Sequence, residues 1–344
     1  MMELDITNEE LDALRNYKSI NYESINQLLV SNAETDLALL SDEIEHKSVS
    51  LSYDKNSVIK NIETIKKLYE LMQKIYYKTN RKEGWVFSRG TNIAEIERLK
   101  NEVYIDKLLS TTQNKHKAEN EFSALWNKPA VMYICGTSNI PYISVDEILG
   151  KQNDSQEIII APFTKIIDIK EIGEQEIENS SKKLRIYNVT IEKQELEQLT
   201  LSERNGLYNY IVENAGSINR KLRECIDLER ENIINYENIR KLEQLLAKYE
   251  QNAEIKEIGK DYSDLERKAD YDDIQRINKE LEQIKENASK LFEIKKQNLE
   301  FVTNWKKNIA VYMMAECREI ELIYKSKNII HEEKKEEKLI KYKE

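Results

Sequence analysis

The sequence predicts an α+β protein in which a strand-rich segment lies between two helical segments. All three prolines and five of the eight glycines fall between residues 84 and 173, so the turn-forming residues are concentrated in one central stretch. Before and after it, apolar residues recur three and four positions apart, the period of a helix that buries one face. We therefore expect an N-terminal helical lobe at 1–83, a core at 84–195 and a C-terminal helical region at 196–344.

The overall composition is that of a folded, helix-rich protein. Of the 344 residues, 40% are hydrophobic and 34% are charged, and the mean hydropathy is -0.69. The formal net charge of -10 argues against a general binder of nucleic acids or anionic membranes, because such proteins need a basic face to displace counterions. The abundance of Lys, Ile and Asn is typical of a low-GC bacterium.

The cysteines and the N-terminus predict the compartment. Cys135, Cys225 and Cys317 are far apart and form no CxxC pair, so we expect neither a disulfide framework nor a metal site. The first residues are acidic and polar, and no apolar run reaches the length of a membrane span, so we expect no signal peptide and no transmembrane helix. The expected location is the bacterial cytosol, or a host cell reached through a dedicated secretion system.

The N-terminal lobe begins with a recognisable helix start. In "TNEELDAL", Thr7 is placed to cap a helix and Glu10, three residues on, is placed to return the hydrogen bond. Apolar residues then recur at helical spacing at Leu11, Leu14 and Ile20, and again through Ile59, Ile62, Ile65, Leu68 and Met72.

The core consists of short β-branched or aromatic runs of strand length. These runs are "WVFS", "KLLSTT", "AVMYICG", "PYISV", "EIIIAPF", "KIIDI" and "LRIYNVTI", with one short helix, "NIAEIERLK", after the first. Neither GxGxxG nor GxxxxGK[ST] occurs, so the usual phosphate-binding loops are absent from the sequence.

The C-terminal region returns to the helical period. Its apolar faces comprise Ile211, Ala215, Ile218, Leu222, Cys225 and Ile226, then Leu242, Leu245, Leu246 and Tyr249, then Ile274, Ile277, Leu281, Ile284, Ala288 and Leu291. The last set has a heptad-like spacing that suits antiparallel, coiled-coil-like packing. Such helices bind a partner or simply cover the sheet, and the period does not distinguish the two.

Three core strands end or begin at polar residues in a distinctive order. They are "VFSRG", then "LLSTT", then "QEIIIAPF". This order of Arg-Gly, Ser-Thr-Thr and a Glu leading an apolar strand into Pro resembles the mono-ADP-ribosyltransferase family of the Arg-Ser-Glu, cholera-toxin-like class. The resemblance covers roughly residues 84–195 and implies a split mixed β-sheet.

The resemblance implies a role for each matching residue. Arg89 would hold the phosphates and ribose of NAD, and the backbone of Gly90 would grip the nicotinamide carboxamide, where a missing Cβ lets the ring approach. Ser110 would orient the catalytic carboxylate of Glu157. Three further residues would complete the NAD pocket: Thr111 and Thr112 at the strand end, and Phe122 in the loop over the nicotinamide.

The acceptor side departs from the family pattern. Members that modify arginine usually have a second Glu two residues before the catalytic one, and many others have Gln, whereas this chain has Ser155 followed by Gln156. A carboxylate there would deprotonate a guanidinium, so its absence disfavours an arginine acceptor. Asp154 would serve instead only if the loop bends unusually.

The preferred hypothesis is an NAD-consuming mono-ADP-ribosyltransferase that releases nicotinamide and modifies a macromolecule, with protein favoured as the target. A secreted effector toxin and an intracellular defence toxin both fit, and the helical regions could bind a regulatory partner. Three alternatives remain open: an NAD glycohydrolase with water as acceptor, a transferase that modifies RNA or DNA, and a helical interaction protein with an inactive core.

Overall fold

The computed structural model describes residues 5–19, 22–30, 33–34, 36–37, 53–78, 85–150, 155–259 and 263–341. A large mixed sheet and long helices make up this part of the chain, which confirms the α+β class predicted from the sequence. The helices are α1 (Asn8–Lys18), α2 (Tyr22–Leu29), α3 (Lys55–Lys78), α4 (Ile93–Lys100), α5 (Lys115–Lys117), α6 (Val145–Leu149), α7 (Leu201–Gly259) and α8 (Asp264–Lys341). A π-helix at Ala118–Phe122 and a 3-10 helix at Thr137–Asn139 complete them.

Each predicted strand run overlaps a strand of the sheet. The strands are β1 (Phe87–Asn92), β2 (Tyr104–Ile105), β3 (Leu109–Thr112), β4 (Pro129–Cys135), β5 (Tyr142–Ser144), β6 (Glu157–Ile160), β7 (Thr164–Glu176) and β8 (Lys183–Glu192). Their order is β2-β7-β8-β4-β1-β3-β6-β5, with β4 and β8 parallel and the other neighbours antiparallel. The two-residue strand β2 was not predicted, because so short a run has no period to detect.

The sheet is divided between β1 and β3. These two strands share the single register pair Ser88–Thr112, whereas β1 pairs with β4 from Phe87 to Asn92 and β3 pairs with β6 from Leu109 to Thr112. A five-strand part and a three-strand part therefore meet at one short contact. The divergence of β1 and β3 opens a space between the strand ends.

Apolar side chains bury the sheet on the side of α4. Ile96 and Leu99 of that helix are buried against Phe87 of β1 and Met132 of β4. The alternation of buried and exposed residues along β8 shows the same principle, since every second side chain of a strand points to the same face.

The N-terminal lobe is fixed to the sheet by hydrogen bonds. The capping box predicted at Thr7 and Glu10 is present, and Ile62, Ile65, Leu68 and Met72 of α3 are buried. The Tyr17 hydroxyl donates to the Leu108 carbonyl at 3.1 Å. The Asn26 side chain donates to the Tyr17 oxygen and accepts from the Leu108 amide, each at 3.1 Å. Because Leu108 immediately precedes β3, these bonds fix α1 and α2 beside that strand.

The C-terminal helix also contacts this lobe. The ammonium of Lys306 is buried and donates to the carbonyls of Gln27 and Val30, at 2.7 and 2.9 Å, at the C-terminal end of α2. A cation suits that position, because the last carbonyls of a helix have no amide partners within it.

The chain groups into two compact units. One comprises 1–31, 54–215 and 306–344, and the other comprises 32–53 and 216–305. The first unit contains the whole sheet together with parts of both predicted helical regions. The three-segment division at 83 and 195 stays a prediction about domains.

Within the second unit, α7 and α8 run antiparallel. Ion pairs join Lys285 to Glu243 at 2.8 Å and Lys295 to Glu229 at 3.1 Å, so rising numbers on one helix match falling numbers on the other. Two of the predicted apolar faces are buried, at Ile218, Leu222, Cys225, Ile226, Ile277, Leu281, Ala288 and Leu291. The predicted face at Leu242, Leu245, Leu246 and Tyr249 is not buried, and Leu245 is 41% exposed. The assignment as a coiled coil stays a prediction. Among the described residues, no helix has the length and apolarity needed to cross a membrane.

Candidate active site

A cavity of about 770 Å³ lies where the sheet divides. Arg89 from β1, Ser110 from β3 and Glu157 from β6 all line it. These are the three residues that sequence analysis selected as the catalytic set, and they are distant in the chain. A volume of this order accommodates a dinucleotide or a similarly sized ligand.

Ser110 holds the Glu157 carboxylate. The hydroxyl donates to the Oε1 atom of Glu157 at 2.6 Å. The strand register explains this contact: Thr112 lies opposite Glu157, so Ser110 lies on the same face one diagonal away, within reach of a long side chain. With a side chain only 15% exposed, Glu157 is nearly enclosed while still facing the cavity.

Arg89 joins the two parts of the sheet. One terminal nitrogen donates to the Ser110 carbonyl at 2.7 Å, and the other donates to both carboxylate oxygens of Glu95, at 3.2 and 3.3 Å. Its Nε atom is buried and has no hydrogen-bond partner among the described residues. A guanidinium has five N–H groups, so the terminal nitrogen bonded to the Ser110 carbonyl still has a donor available.

Sequence analysis missed Glu95, the counterion of Arg89. Its carboxylate accepts from Lys107 at 2.6 Å and from the Thr91 hydroxyl, in addition to Arg89. Burial alone would raise the pKa of Glu95, but the charges of Arg89 and Lys107 and these hydrogen bonds outweigh burial and hold that pKa well below its usual range. Burial in turn lowers the pKa of Lys107, against the opposing effect of Glu95.

The sequence did contain a signal for Glu95. Asn92 caps α4 and accepts from the Glu95 amide at 2.8 Å. An N-cap residue fixes the position of the side chain three residues later. That spacing places the Glu95 carboxylate on the first turn of α4, back towards the end of β1 where Arg89 lies.

Close packing against neighbouring protein atoms requires glycine at position 90. A Cβ atom at this position would lie 2.5 Å from the Ala118 carbonyl, 2.6 Å from the Ser123 amide and 2.7 Å from the Phe122 Cβ. The π-helix therefore occupies the space that any side chain would need. The expectation was that a ligand ring uses this space; Gly90 does line the cavity, but packing against the π-helix already demands glycine.

The two threonines of the predicted NAD pocket line the cavity, and both of their hydroxyls already donate hydrogen bonds within the protein. Thr111 donates to the Ile158 carbonyl at 3.0 Å. Thr112 donates to the Ser155 carbonyl and accepts from the Asn114 amide at 2.8 Å. Their hydroxyls fix the strand end and the segment before Glu157, and their part in NAD binding stays a prediction.

The predicted acceptor-facing residues differ in position. Ser155 lines the cavity, whereas Gln156 is exposed, with a φ of 43°, and its carbonyl accepts from the Gln113 amide at 3.1 Å. Asp154 lies outside the described residues. Phe122, the predicted aromatic, lines the cavity at the end of the π-helix, and the exposed side chains of Leu125 and Trp126 line it nearby.

The N-terminal lobe also contributes to the cavity, which sequence analysis did not predict. Tyr17, Lys18, Ser19 and Tyr22 line it. The Lys18 ammonium donates to the Oε2 atom of Glu157. Burial raises the pKa of Tyr17 to about 12, so its hydroxyl stays protonated. No group of three potential metal ligands occurs in the part of the chain that the structure describes.

Comparison with known proteins found no matching family model and no matching curated protein. Two solved structures show a partial likeness. One is the ADP-ribosylating toxin BECa of a binary enterotoxin of C. perfringens, solved with NADH, with a TM-score of 0.36 and 16% identity over 54% of this chain and 44% of that chain. The other is C3larvin toxin, an ADP-ribosyltransferase from Paenibacillus larvae, with a TM-score of 0.30 and 14% identity over 55% of this chain and 89% of that chain.

Proposed function

We propose that this protein is an NAD-dependent mono-ADP-ribosyltransferase of the Arg-Ser-Glu class. It binds NAD in the cavity, breaks the bond between ribose and nicotinamide, and transfers ADP-ribose to a macromolecule, with a protein as the favoured target. The observation that supports this most directly is the Ser110 hydroxyl on the Glu157 carboxylate at 2.6 Å, in the cavity that Arg89 also lines.

The chemistry of NAD cleavage matches these side chains. Nicotinamide leaves from a cationic pyridinium, so no acid is needed to expel it, and the ribose develops the positive charge of an oxocarbenium ion. A fixed carboxylate that accepts a hydrogen bond from the ribose 2′-hydroxyl stabilises that charge. We assign this role to Glu157, which Ser110 holds by Oε1, so that Oε2 is the oxygen for the ribose.

Arg89 is assigned to the NAD phosphates and ribose. The terminal nitrogen that donates to the Ser110 carbonyl carries a second N–H group, which gives Arg89 a donor for a ligand oxygen. Because its terminal nitrogens are already bonded to Ser110 and Glu95, the guanidinium is held in place before the ligand arrives. A preorganised donor costs little reorganisation when the reaction occurs.

The side chains around Glu157 bear on the choice of the ADP-ribose acceptor. Glu157 is the only carboxylate among the described residues that line the cavity. Ser155, two residues before it, has no basic group to deprotonate a guanidinium. This favours an acceptor other than arginine, and water as the acceptor would make the protein an NAD glycohydrolase.

The decisive experiment measures nicotinamide release from NAD by the wild type and by Glu157→Gln. We expect the variant to release nicotinamide at least about 100-fold more slowly, because glutamine has the same shape without the charge that stabilises the ribosyl cation. Glu192→Gln is the matched control: this half-exposed glutamate on the same sheet pairs with Lys165 away from the cavity, and its loss should leave the rate unchanged. Equal rates for wild type and Glu157→Gln would refute the proposal.

Labelled NAD distinguishes transfer from hydrolysis. Biotinylated NAD is incubated with the protein in bacterial and eukaryotic lysates, and labelled macromolecules are identified by mass spectrometry. Labelling of protein that is lost with Glu157→Gln supports a protein-modifying transferase. Labelling of nucleic acid would instead identify nucleic acid as the acceptor. Nicotinamide release without any label would establish the glycohydrolase.

A further inference from the structure

Lys18 occupies the oxygen of Glu157 that the proposed reaction requires. Its ammonium donates to Oε2, while Ser110 donates to Oε1, so both oxygens of the carboxylate are engaged. A ribose 2′-hydroxyl that approaches Oε2 competes with the Lys18 ammonium for this oxygen. Among the described residues, Glu157 is the anion with which Lys18 pairs, so NAD binding would deprive this lysine of its counterion.

Of the two cations among the described residues that line the cavity, Lys18 is the more exposed and has fewer hydrogen bonds to the protein. Arg89, the other cation of the lining, has its terminal nitrogens on Ser110 and Glu95 and is 23% exposed. Lys18 is 38% exposed and is the last residue of α1, with a long flexible side chain. A lysine that has lost its carboxylate partner needs another anion, and NAD brings a diphosphate into the same cavity.

We propose that Lys18 exchanges counterions when NAD binds, passing from the Glu157 carboxylate to the diphosphate of the ligand. Lys18 is then a specificity residue: it opposes the approach of a ribose that lacks phosphates and favours one attached to a diphosphate. This inference rests on the proposed function, since it takes Glu157 as the group that binds the ribose. It makes the N-terminal lobe part of the substrate site.

The test compares two ligands that the protein cannot cleave. NADH and reduced nicotinamide riboside both contain a neutral dihydronicotinamide, which is not a leaving group, and only NADH contains the diphosphate. Their dissociation constants are measured by the fluorescence of the dihydronicotinamide with the full-length wild type, Lys18→Met and Lys18→Arg. We expect Lys18→Met to bind NADH about tenfold more weakly, the loss of one charge-assisted contact. Its affinity for the riboside should stay the same or increase, and Lys18→Arg should recover most of the NADH affinity.

Lys67→Met is the matched control. Lys67 is 40% exposed and ion-paired with Glu9 and Glu70, but it does not line the cavity, so its loss should change neither affinity. The inference is overturned if Lys18→Met weakens both ligands equally, or if it binds NADH more tightly than the wild type does. Wild type that releases nicotinamide from NAD but binds NADH no more tightly than the riboside would overturn this inference alone, whereas wild type that releases no nicotinamide would refute the proposed function itself.

Discussion

Replacing Glu95 by glutamine tests the charge cluster beneath the proposed active site. The carboxylate is 11% exposed and accepts from Arg89 at 3.2 Å and from Lys107 at 2.6 Å. Removing one member of a buried charged group costs roughly 3 to 5 kcal/mol, because its partners are left uncompensated. Glutamine keeps the shape and one acceptor oxygen, so we expect a loss near the lower end, about 3 kcal/mol of unfolding free energy at neutral pH.

The same variant makes a prediction about pH. The folded-state pKa of Glu95 is held well below its usual range, while in the unfolded chain the carboxyl protonates near pH 4.3, about the value of a free glutamate. A carboxyl group whose pKa is lower in the folded state stabilises the fold fully at pH values above its unfolded-state pKa. This stabilisation is lost as the pH falls towards the folded-state pKa. The difference in stability between wild type and Glu95→Gln should therefore shrink by about 2 kcal/mol between pH 6 and pH 3.

Urea unfolding followed by tryptophan fluorescence measures both effects. Two of the three tryptophans, Trp85 and Trp126, lie in the unit that contains the sheet and report on it, whereas Trp305 lies in the other unit and also contributes to the signal. Glu97→Gln on the same helix is the control: Glu97 is 56% exposed and pairs with Lys100 on the surface, and its loss should change stability by less than about 0.5 kcal/mol. Equal losses in the two glutamine variants, or a difference that stays constant with pH, would refute the assignment of Glu95 as a buried counterion.

Four further substitutions have defined outcomes. Ser110→Ala should lower the rate of nicotinamide release about tenfold with little change in KM, because the catalytic carboxylate loses the hydroxyl that orients it; an unchanged rate would contradict this. Gly90→Ala should lower the unfolding free energy by about 2 kcal/mol, since its Cβ would lie 2.5 Å from a backbone carbonyl. Gly206→Ala, where the helix has open space, should raise it by up to about 1 kcal/mol, and a reversed order would be inconsistent with the packing described. Tyr17→Phe should cost about 1 kcal/mol in urea unfolding by removing the bond to Leu108, and a variant as stable as the wild type would show that this bond does not fix the lobe.

Local signals in the sequence predicted much of the fold. Thr7 and Glu10 form the expected capping box because both partners lie within four residues. The strands follow short β-branched and aromatic runs for the same local reason. Arg89, Ser110 and Glu157 could be selected because each lies near the end of such a run in a recognisable order, and the structure brings them together around one cavity.

The unpredicted parts of the site depend on contacts between distant segments. Lys18 meets Glu157 across 139 residues of sequence, and helical periodicity in the N-terminal lobe reported burial without indicating what the lobe would face. Asn92 marked the first turn of the helix that carries Glu95, but the approach of Lys107, twelve residues later in the chain, could not be read from local spacing.

The single register pair between β1 and β3 predicts where in the sheet ligand binding would change amide hydrogen exchange. Arg89 belongs to one part of the sheet and Glu157 to the other, and the two parts are joined by the Ser88–Thr112 pair and the guanidinium bond to the Ser110 carbonyl. A ligand held by Arg89 and Glu157 together would act as a crosslink across this narrow junction. Slower amide hydrogen exchange at Ser88 and Thr112 on adding NADH would then record ligand binding at the junction, while amides in the long ladder between β7 and β8 would exchange at unchanged rates.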